Sequence, residues 1–200
     1  MIRLFGHSMI SIDDKIVIDP HDGGSIGLPR PSLGKADLVL ITHDHFDHNA
    51  FQILESKDVR VSLTNSLTYL DYRIESLQAN HDRNGGKSRG KTSIYIIRKG
   101  SLSFTHMGDI GEFPKESLLK SLTADFLALP VGGIITIDHK EAHEIVKELK
   151  PSVIIPLHYW VKGHLMPIDP PDPFLDLEKA QIHHEKQIDE NNFKKGIYLA

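Results

Sequence analysis

Leu38-Val39-Leu40-Ile41-Thr42-His43-Asp44-His45-Phe46-Asp47-His48 is the stretch on which the reading of this chain turns. Its four leading apolar residues are unbroken, as expected of a strand buried on both faces. The run passes directly into a cluster of histidines and aspartates. Residues two apart on an extended chain project to the same side, so His43 and His45 can grip one metal ion. If the chain then turns, Asp47 and His48 face a second site beside the first. The buried strand supplies the rigid platform that a metal site needs to hold its geometry. A polar surface turn that happens to be rich in histidine is the competing reading, and the position straight after a buried strand weighs against it.

Working outward, Arg3–Phe5, Met9–Ile12 and Lys15–Ile18 read as short strands of a meander, broken by Gly6-His7-Ser8 and Asp13-Asp14. Residues 20–35 hold four Gly and three Pro, a loop long enough to be a candidate for function. After the histidine cluster, Ala50–Ser56 predicts a helix and Val59–Leu63 a strand. Thr92–Arg98 and Leu102–Met107 predict a hairpin around Lys99-Gly100, and Ala124–Leu129 another buried strand. Apolar residues 142, 145, 146 and 149 give Asp138–Lys150 a helical face, closed by Pro151, with Val153–Leu157 as the next strand. Phe174–Glu185 reads as a weaker helix and Ile197–Leu199 as a last strand. A meander followed by helix–strand alternation, with no linker or repeat, predicts one layered α/β domain over residues 1–200.

Composition narrows the function. Of 200 residues, 40% are hydrophobic and 25% charged, the balance of an ordinary globular chain. The absence of cysteine excludes a disulfide scaffold, a thiolate zinc finger, an iron–sulfur cluster and a cysteine nucleophile. A net charge of -4 argues against nucleic acid or a membrane surface as partner. The apolar stretch Phe126–Ile135 is interrupted by Pro130, Gly132 and Gly133, well short of the roughly 18 residues of a membrane helix. His7, Asp13 and Asp14 come too early for a secretory leader, so a cytoplasmic protein is expected. Thirteen histidines outnumber the eight Phe, which directs attention to metal ligation and acid–base chemistry.

His43-x-His45-x-Asp47-His48 resembles the signature of the metallo-β-lactamase-fold hydrolases, and further elements follow in the order of that superfamily. Asp19, ending Ile16-Val17-Ile18, resembles its early aspartate, which orients the ligand loop. His81 resembles the third histidine, Asp109 in Thr105-His106-Met107-Gly108-Asp109 the bridging aspartate, and His158 in Pro156-Leu157-His158-Tyr159-Trp160 the last ligand. His81-Asp82, Met107–Gly111 and Pro130–Gly133 resemble the compact branch related to ascorbate-6-phosphate lactonase. The resemblance implies a four-layer αββα sandwich with metals at one edge of the two sheets. It implies two divalent metal ions per chain: one held by His43, His45 and His81, the other by Asp47, His48 and His158, with Asp109 between them. Zinc is the expected metal, and manganese, iron or nickel also suit such donors. The implied activity is that of a dinuclear metal-dependent hydrolase, in which a metal-bridging hydroxide attacks an ester, lactone or phosphoester bond of a small anionic substrate. Asp47 and His7 are the expected catalytic residues, His7 by its likeness to a Gly-His-Ser element seen early in this branch. A nuclease or phosphodiesterase, and a non-catalytic metal-binding protein, are the alternatives on the same fold.

Other motifs carry less. Gly85–Thr92 satisfies the nucleotide-binding pattern GxxxxGK[ST], yet a polar segment precedes it and a strand follows, the reverse of the context that motif needs. It reads as a basic loop in which Lys87, Arg89 or Lys91 attracts a phosphate or carboxylate. His139 and His143 lie one helical turn apart without a third ligand and read as an exposed face. His183-His184 reads as solvated. His106 competes with His81, but shares a site with Asp109 only if Gly108 bends the chain. His164 stays open, as does Pro167–Pro173, which either covers the site mouth or braces the tail.

Overall fold

In the computed structural model, which describes residues 1–200, the strands sort into two sheets packed face to face. The first contains β1 (Ile2–Leu4), β2 (Ile10–Ile12), β3 (Ile16–Ile18), β4 (Lys35–Ile41) and β5 (Glu55–Val61). The second contains β6 (Leu67–Tyr69), β7 (Tyr72–Asn80), β8 (Lys91–Lys99), β9 (Leu102–His106), β10 (Phe126–Pro130), β11 (Val153–Leu157), β12 (Ile182–His183) and β14 (Gly196–Tyr198). A short strand, β13 (Gln187–Ile188), returns to the first sheet beside β1. The orders are β13-β1-β2-β3-β4-β5 and β12-β14-β11-β10-β9-β8-β7-β6.

Period-two alternation decides which face of each strand meets which layer. Ile10, Ile12, Ile16, Ile18, Leu38 and Leu40 point inward and meet Tyr95, Ile97, Phe126, Ala128 and Ile155 of the other sheet in the central core. The intervening Val17, Val39 and Ile41 point outward and are buried too, because β3, β4 and β5 pair in parallel and both faces are covered. Burying each such side chain is worth about 1.5–3 kcal/mol.

On the eight-stranded sheet the outer cover is helical. The helix α2 (His139–Leu149) lays Ala142, Ile145 and Val146 against Ile94, Leu127, Leu129 and Ile154, together with Phe174 of α3 (Asp172–Glu178). It starts at a capping box: the Asp138 side chain accepts from Lys140 N and Glu141 N, and Glu141 accepts from Asp138 N. A single turn, α1 (Glu116–Leu119), precedes β10. On the six-stranded sheet the outer layer is thin. Leu33 of the Gly/Pro-rich loop, Leu54, and Phe51 and Ile53 of a 3-10 turn (Phe51–Ile53) cover Val17, Val39 and Ile41. The αββα sandwich is therefore present with one outer layer built of loop and turn.

Two expected elements change, and one appears where none was expected. Ala50–Ser56 is not a helix: its apolar residues cap the sheet from one 3-10 turn, and Glu55 already belongs to β5. The predicted helix Phe174–Glu185 ends at Glu178, where Lys179 turns to φ 51, and Ile182–His183 pairs with β14 instead. Residues 67–80, for which no element was expected, form the hairpin β6–β7, whose long strand hydrogen-bonds to β8 along its whole length.

Candidate metal centre

All the ligand-type residues leave the same edge of the sandwich. Asp19 follows β3, His43–His48 follow β4, His81 follows β7, Asp109 follows β9 and His158 follows β11. The two sheets are tied there: Ser93 N donates to Thr42 O at 2.8 Å and Tyr95 Oη to Ile41 O at 2.8 Å.

The geometry is set by a buried carboxylate. Asp19 adopts φ 47 and accepts from Thr42 N (2.7 Å), Thr42 Oγ1 (2.7 Å) and His48 Nδ1 (2.9 Å). His48 Nδ1 therefore carries a proton, and Nε2 is turned into the site. The single hydroxyl hydrogen of Thr42 goes to Asp19, so at 2.9 Å its oxygen accepts from His43 Nδ1, and Nε2 of His43 is a lone pair facing the site.

Four imidazole Nε2 atoms converge on one carboxylate oxygen. From Asp109 Oδ2, Nε2 of His48 and of His158 lie at 3.2 Å, and Nε2 of His43 and of His81 at 3.8 Å. Asp47 Oδ2 lies 3.2 Å from His48 Nε2 and 3.8 Å from His158 Nε2. None of the four nitrogens, nor Asp109 Oδ1, has a hydrogen-bond partner, and all are buried. Imidazole nitrogens crowded against buried carboxylate oxygens without a hydrogen-bond partner call for a cation between them, and a set of imidazole and carboxylate donors fits divalent metal ions. The donor atoms of His43, His45 and His81 fall within 4.8 Å of one another, and so do those of His7, Asp47, His48 and His158. His45 is half-buried, its ring edge-on to His43 at 4.5 Å.

Burial pushes His43 down to about 2, His7 to about 3 and His81 to about 4, so each is a neutral base at pH 7. His48 moves the other way: burial opposes its charge, but Asp109, Asp19 and Asp47 outweigh it and hold the imidazole well above its ordinary value. Burial also opposes ionisation of Asp47 and Asp109, yet the surrounding histidines hold both well below the carboxylate range.

The structure thus brings together His7, His43, His45, Asp47, His48, His81, Asp109 and His158. It separates His106 from them. Gly108 does bend the chain, at φ 55, but both ring nitrogens of His106 are engaged, Nε2 with Ser8 O at 3.0 Å and Nδ1 with Gly108 N at 3.1 Å. A side chain at Gly108 would collide with Thr92 and Ser93, so the bend requires glycine. His143 pairs with Glu178 between α2 and α3 at 2.9 Å. His183, expected in solvent, is buried and stacked on Tyr198, while His184 is exposed. Pro167–Pro173 braces neighbouring loops: Asp169 accepts from Trp160 N and donates its own N–H to Gly132 O.

The loop that imitates a phosphate cradle already holds an anion. The Asp82 carboxylate accepts from the backbone N–H groups of Asn84 (2.7 Å), Gly86 (3.0 Å), Ser88 (2.8 Å) and Arg89 (2.7 Å). This nest is filled by the chain itself, and those hydrogen bonds hold Asp82 at about 2. Of two further buried histidines, His21 was not singled out by sequence and His164 was left open. His21 bonds Phe5 O through Nε2 at 3.3 Å, and its ring lies 6.3 Å from that of His7. His164 bonds His7 itself. His7 also borders a cavity of about 370 Å³ lined by Arg3, Phe5, Arg30 and Tyr159.

Comparison with known proteins places this geometry. The profile of the beta-lactamase superfamily domain matches residues 1–158. A protein of Thermococcus onnurineus named as a metal-dependent hydrolase is 30% identical over 187 residues, covering 79% of this chain and 84% of the relative. One of Thermoplasma acidophilum with the same name is 27% identical over 181 residues, covering 77% and 80%. A crystal structure from Thermotoga maritima, assigned to the metallo-β-lactamase superfamily, superposes with a TM-score of 0.78 at 27% identity, covering 99% of this chain and 96% of that one. The sandwich, its edge of histidines and aspartates, and these likenesses agree: the chain belongs to the metallo-β-lactamase superfamily, as a metal-dependent hydrolase.

Proposed function

We propose that the protein hydrolyses an ester, lactone or phosphoester bond of a small anionic substrate at a centre holding two divalent ions, zinc foremost. His43, His45 and His81 hold one ion, Asp47, His48 and His158 the other, and Asp109 lies between them. The observation that carries this reading is the convergence of four unpartnered Nε2 atoms on Asp109. Bound ions of this kind supply Lewis acidity, which lowers the pKa of water and polarises the bond to be broken. The chain supplies the rest. Asp19 and Thr42 fix the ring orientation of His43 and His48, and His7 donates to Asp47 from the adjoining turn.

Arg89 supports an anionic substrate. It is exposed, forms no ion pair, and precedes Gly90, whose carbonyl accepts from His81 N at 3.0 Å, so that its positive charge helps to keep His45 and His81 neutral. Its backbone is fixed by Asp82, so the guanidinium is presented rather than left on a free loop. Phe46, Ile134 and Leu165, all exposed, sit on loops leaving the same edge and favour an organic substrate with an apolar part. Ile134 is held at φ 59, a strained conformation for a β-branched residue, as is common at functional loops. The likeness to the lactonase branch supports lactones and phosphoesters within the range.

The test is a turnover assay of the metal-loaded protein on lactone, carboxylic ester, phosphomonoester and phosphodiester panels. Hydrolysis of an anionic member is expected, with Arg89→Ala raising KM about tenfold, the loss of a charge-assisted contact, while metal content is unchanged. Full metal loading without turnover on any panel would show a binding protein, and turnover confined to nucleic acids would show a nuclease.

A further inference from the structure

A line of buried histidines runs from the candidate centre to the loop after β11, and its hydrogen bonds have only one consistent direction. Met166 N–H lies 3.2 Å from His164 Nδ1. A backbone N–H donates only, so His164 Nδ1 accepts and the neutral ring carries its hydrogen on Nε2. His164 Nε2 lies 3.2 Å from His7 Nδ1, which must then accept in turn. His7 is thereby left with its hydrogen on Nε2, 3.0 Å from Asp47 Oδ2. The opposite direction fails at Met166, which has no lone pair to offer.

The backbone around this line is fixed at both ends. His7 sits at φ 52 behind Gly6 at φ 89, and its carbonyl accepts from His158 N at 3.0 Å, which ties it to another ligand-type residue. His164 N donates to Val161 O, and its carbonyl accepts from Trp160 Nε1 at 3.2 Å. The loop is pressed against the Gly/Pro-rich loop: Leu165 N donates to Ile26 O, and a Cβ on Gly27 would lie 2.1 Å from Gly163 O. Both histidines are about as buried as the ligand-type residues, at 5% exposure for His7 and 6% for His164.

We propose that His164 is a positioning residue: it fixes the tautomer of His7, so that His7 donates to Asp47 and holds the Asp47 carboxylate toward His48 and His158. The proposal rests on the reading of that trio as one of the two ion sites. In this arrangement His7 Nε2 carries hydrogen and cannot itself ligate, although it falls within the same group of donor atoms. His7 then acts through Asp47, as outer partners of metal ligands do.

The test pairs His164→Phe, which keeps the ring's bulk without its nitrogens, with His164→Gln, whose amide restores a donor near Nε2. Proton–nitrogen correlation spectra of 15N-histidine-labelled, metal-free protein should show His7 and His164 both protonated on Nε2, with His7 losing that single tautomer in His164→Phe. In zinc titrations, His164→Phe should bind one ion as the wild type does and the second about 10–100-fold more weakly, the usual loss for an outer-shell partner. His164→Gln should recover most of the second affinity, and the metal-free melting temperature should stay near wild type for both. Wild-type zinc binding by His164→Phe, or His7 protonated on Nδ1 in the wild type, would overturn the proposal. Loss of both ions with a lowered metal-free melting temperature would do so too, by showing a merely structural role. A wild type that binds no zinc would instead overturn the ion-site reading, while the spectra still decide the direction of the hydrogen bonds.

Discussion

Asp19 carries more of the centre than its place behind the converging histidines implies. Three donors, Thr42 N, Thr42 Oγ1 and His48 Nδ1, depend on one fully buried carboxylate. Asp19→Ala leaves them unsatisfied, and each such group costs about 1–3 kcal/mol. Denaturant melts of the metal-free protein should therefore show a loss of about 3 kcal/mol or more, and zinc affinity should fall even where folded protein remains. A variant with wild-type stability would mean that water replaces the carboxylate. His43, His45, Asp47 and His48 were legible in the sequence because one strand end and one turn place all four. His7 and His164 were not legible as a pair, since 157 residues separate them and nothing local to either announces the other. His183 misled for a related reason: Tyr198, the ring that buries it, arrives from another strand.

At the scale of elements, the segment after His81 shows how a pattern can be right in its letters and wrong in its meaning. Glycines at 85, 86 and 90 do let backbone N–H groups converge on an anion, but the anion is Asp82. Its folded pKa, about 2, lies below the ordinary carboxylate value, so the ionised nest contributes order fully above about pH 4. That order is lost as pH falls through about 2. Amide proton shifts of Asn84, Gly86, Ser88 and Arg89 should move together over this window in wild type, and Asp82→Asn should show the low-pH shifts already at pH 7. Independent shifts would contradict the nest. The strands β3, β4, β10 and β11 were legible because both faces are apolar. The turn Phe51–Ile53 was not, because Phe51 and Ile53, with Leu54 just after the turn, have nearly the spacing of a helix. The strand β7 is half-exposed beyond Ile74 and gives little periodic signal.

For the molecule as a whole, the architecture collects negative charge at one edge and buries it. Asp19, Asp47 and Asp109 are at most 3% exposed, and no lysine or arginine pairs with them. The fold class followed from the parallel strands and the ordered motifs, whereas the thin outer layer over the six-stranded sheet depends on loop packing that no periodicity records. If cations balance this edge, they stabilise the native state by mass action, by about 2.7 kcal/mol at a hundredfold excess over Kd. Removing them with a chelator should lower the melting temperature by roughly 5–10 °C for a domain of this size, and zinc should restore it. No helix is long and apolar enough to cross a membrane.

The number of ions proposed for this edge can be counted by elemental mass spectrometry of protein purified without a histidine tag or chelator. About two transition-metal ions per chain are expected, falling toward one in Asp47→Ala and in His158→Ala. Protein that takes up no metal even after zinc or manganese is added would contradict the proposal, and the four converging histidines would then be structural.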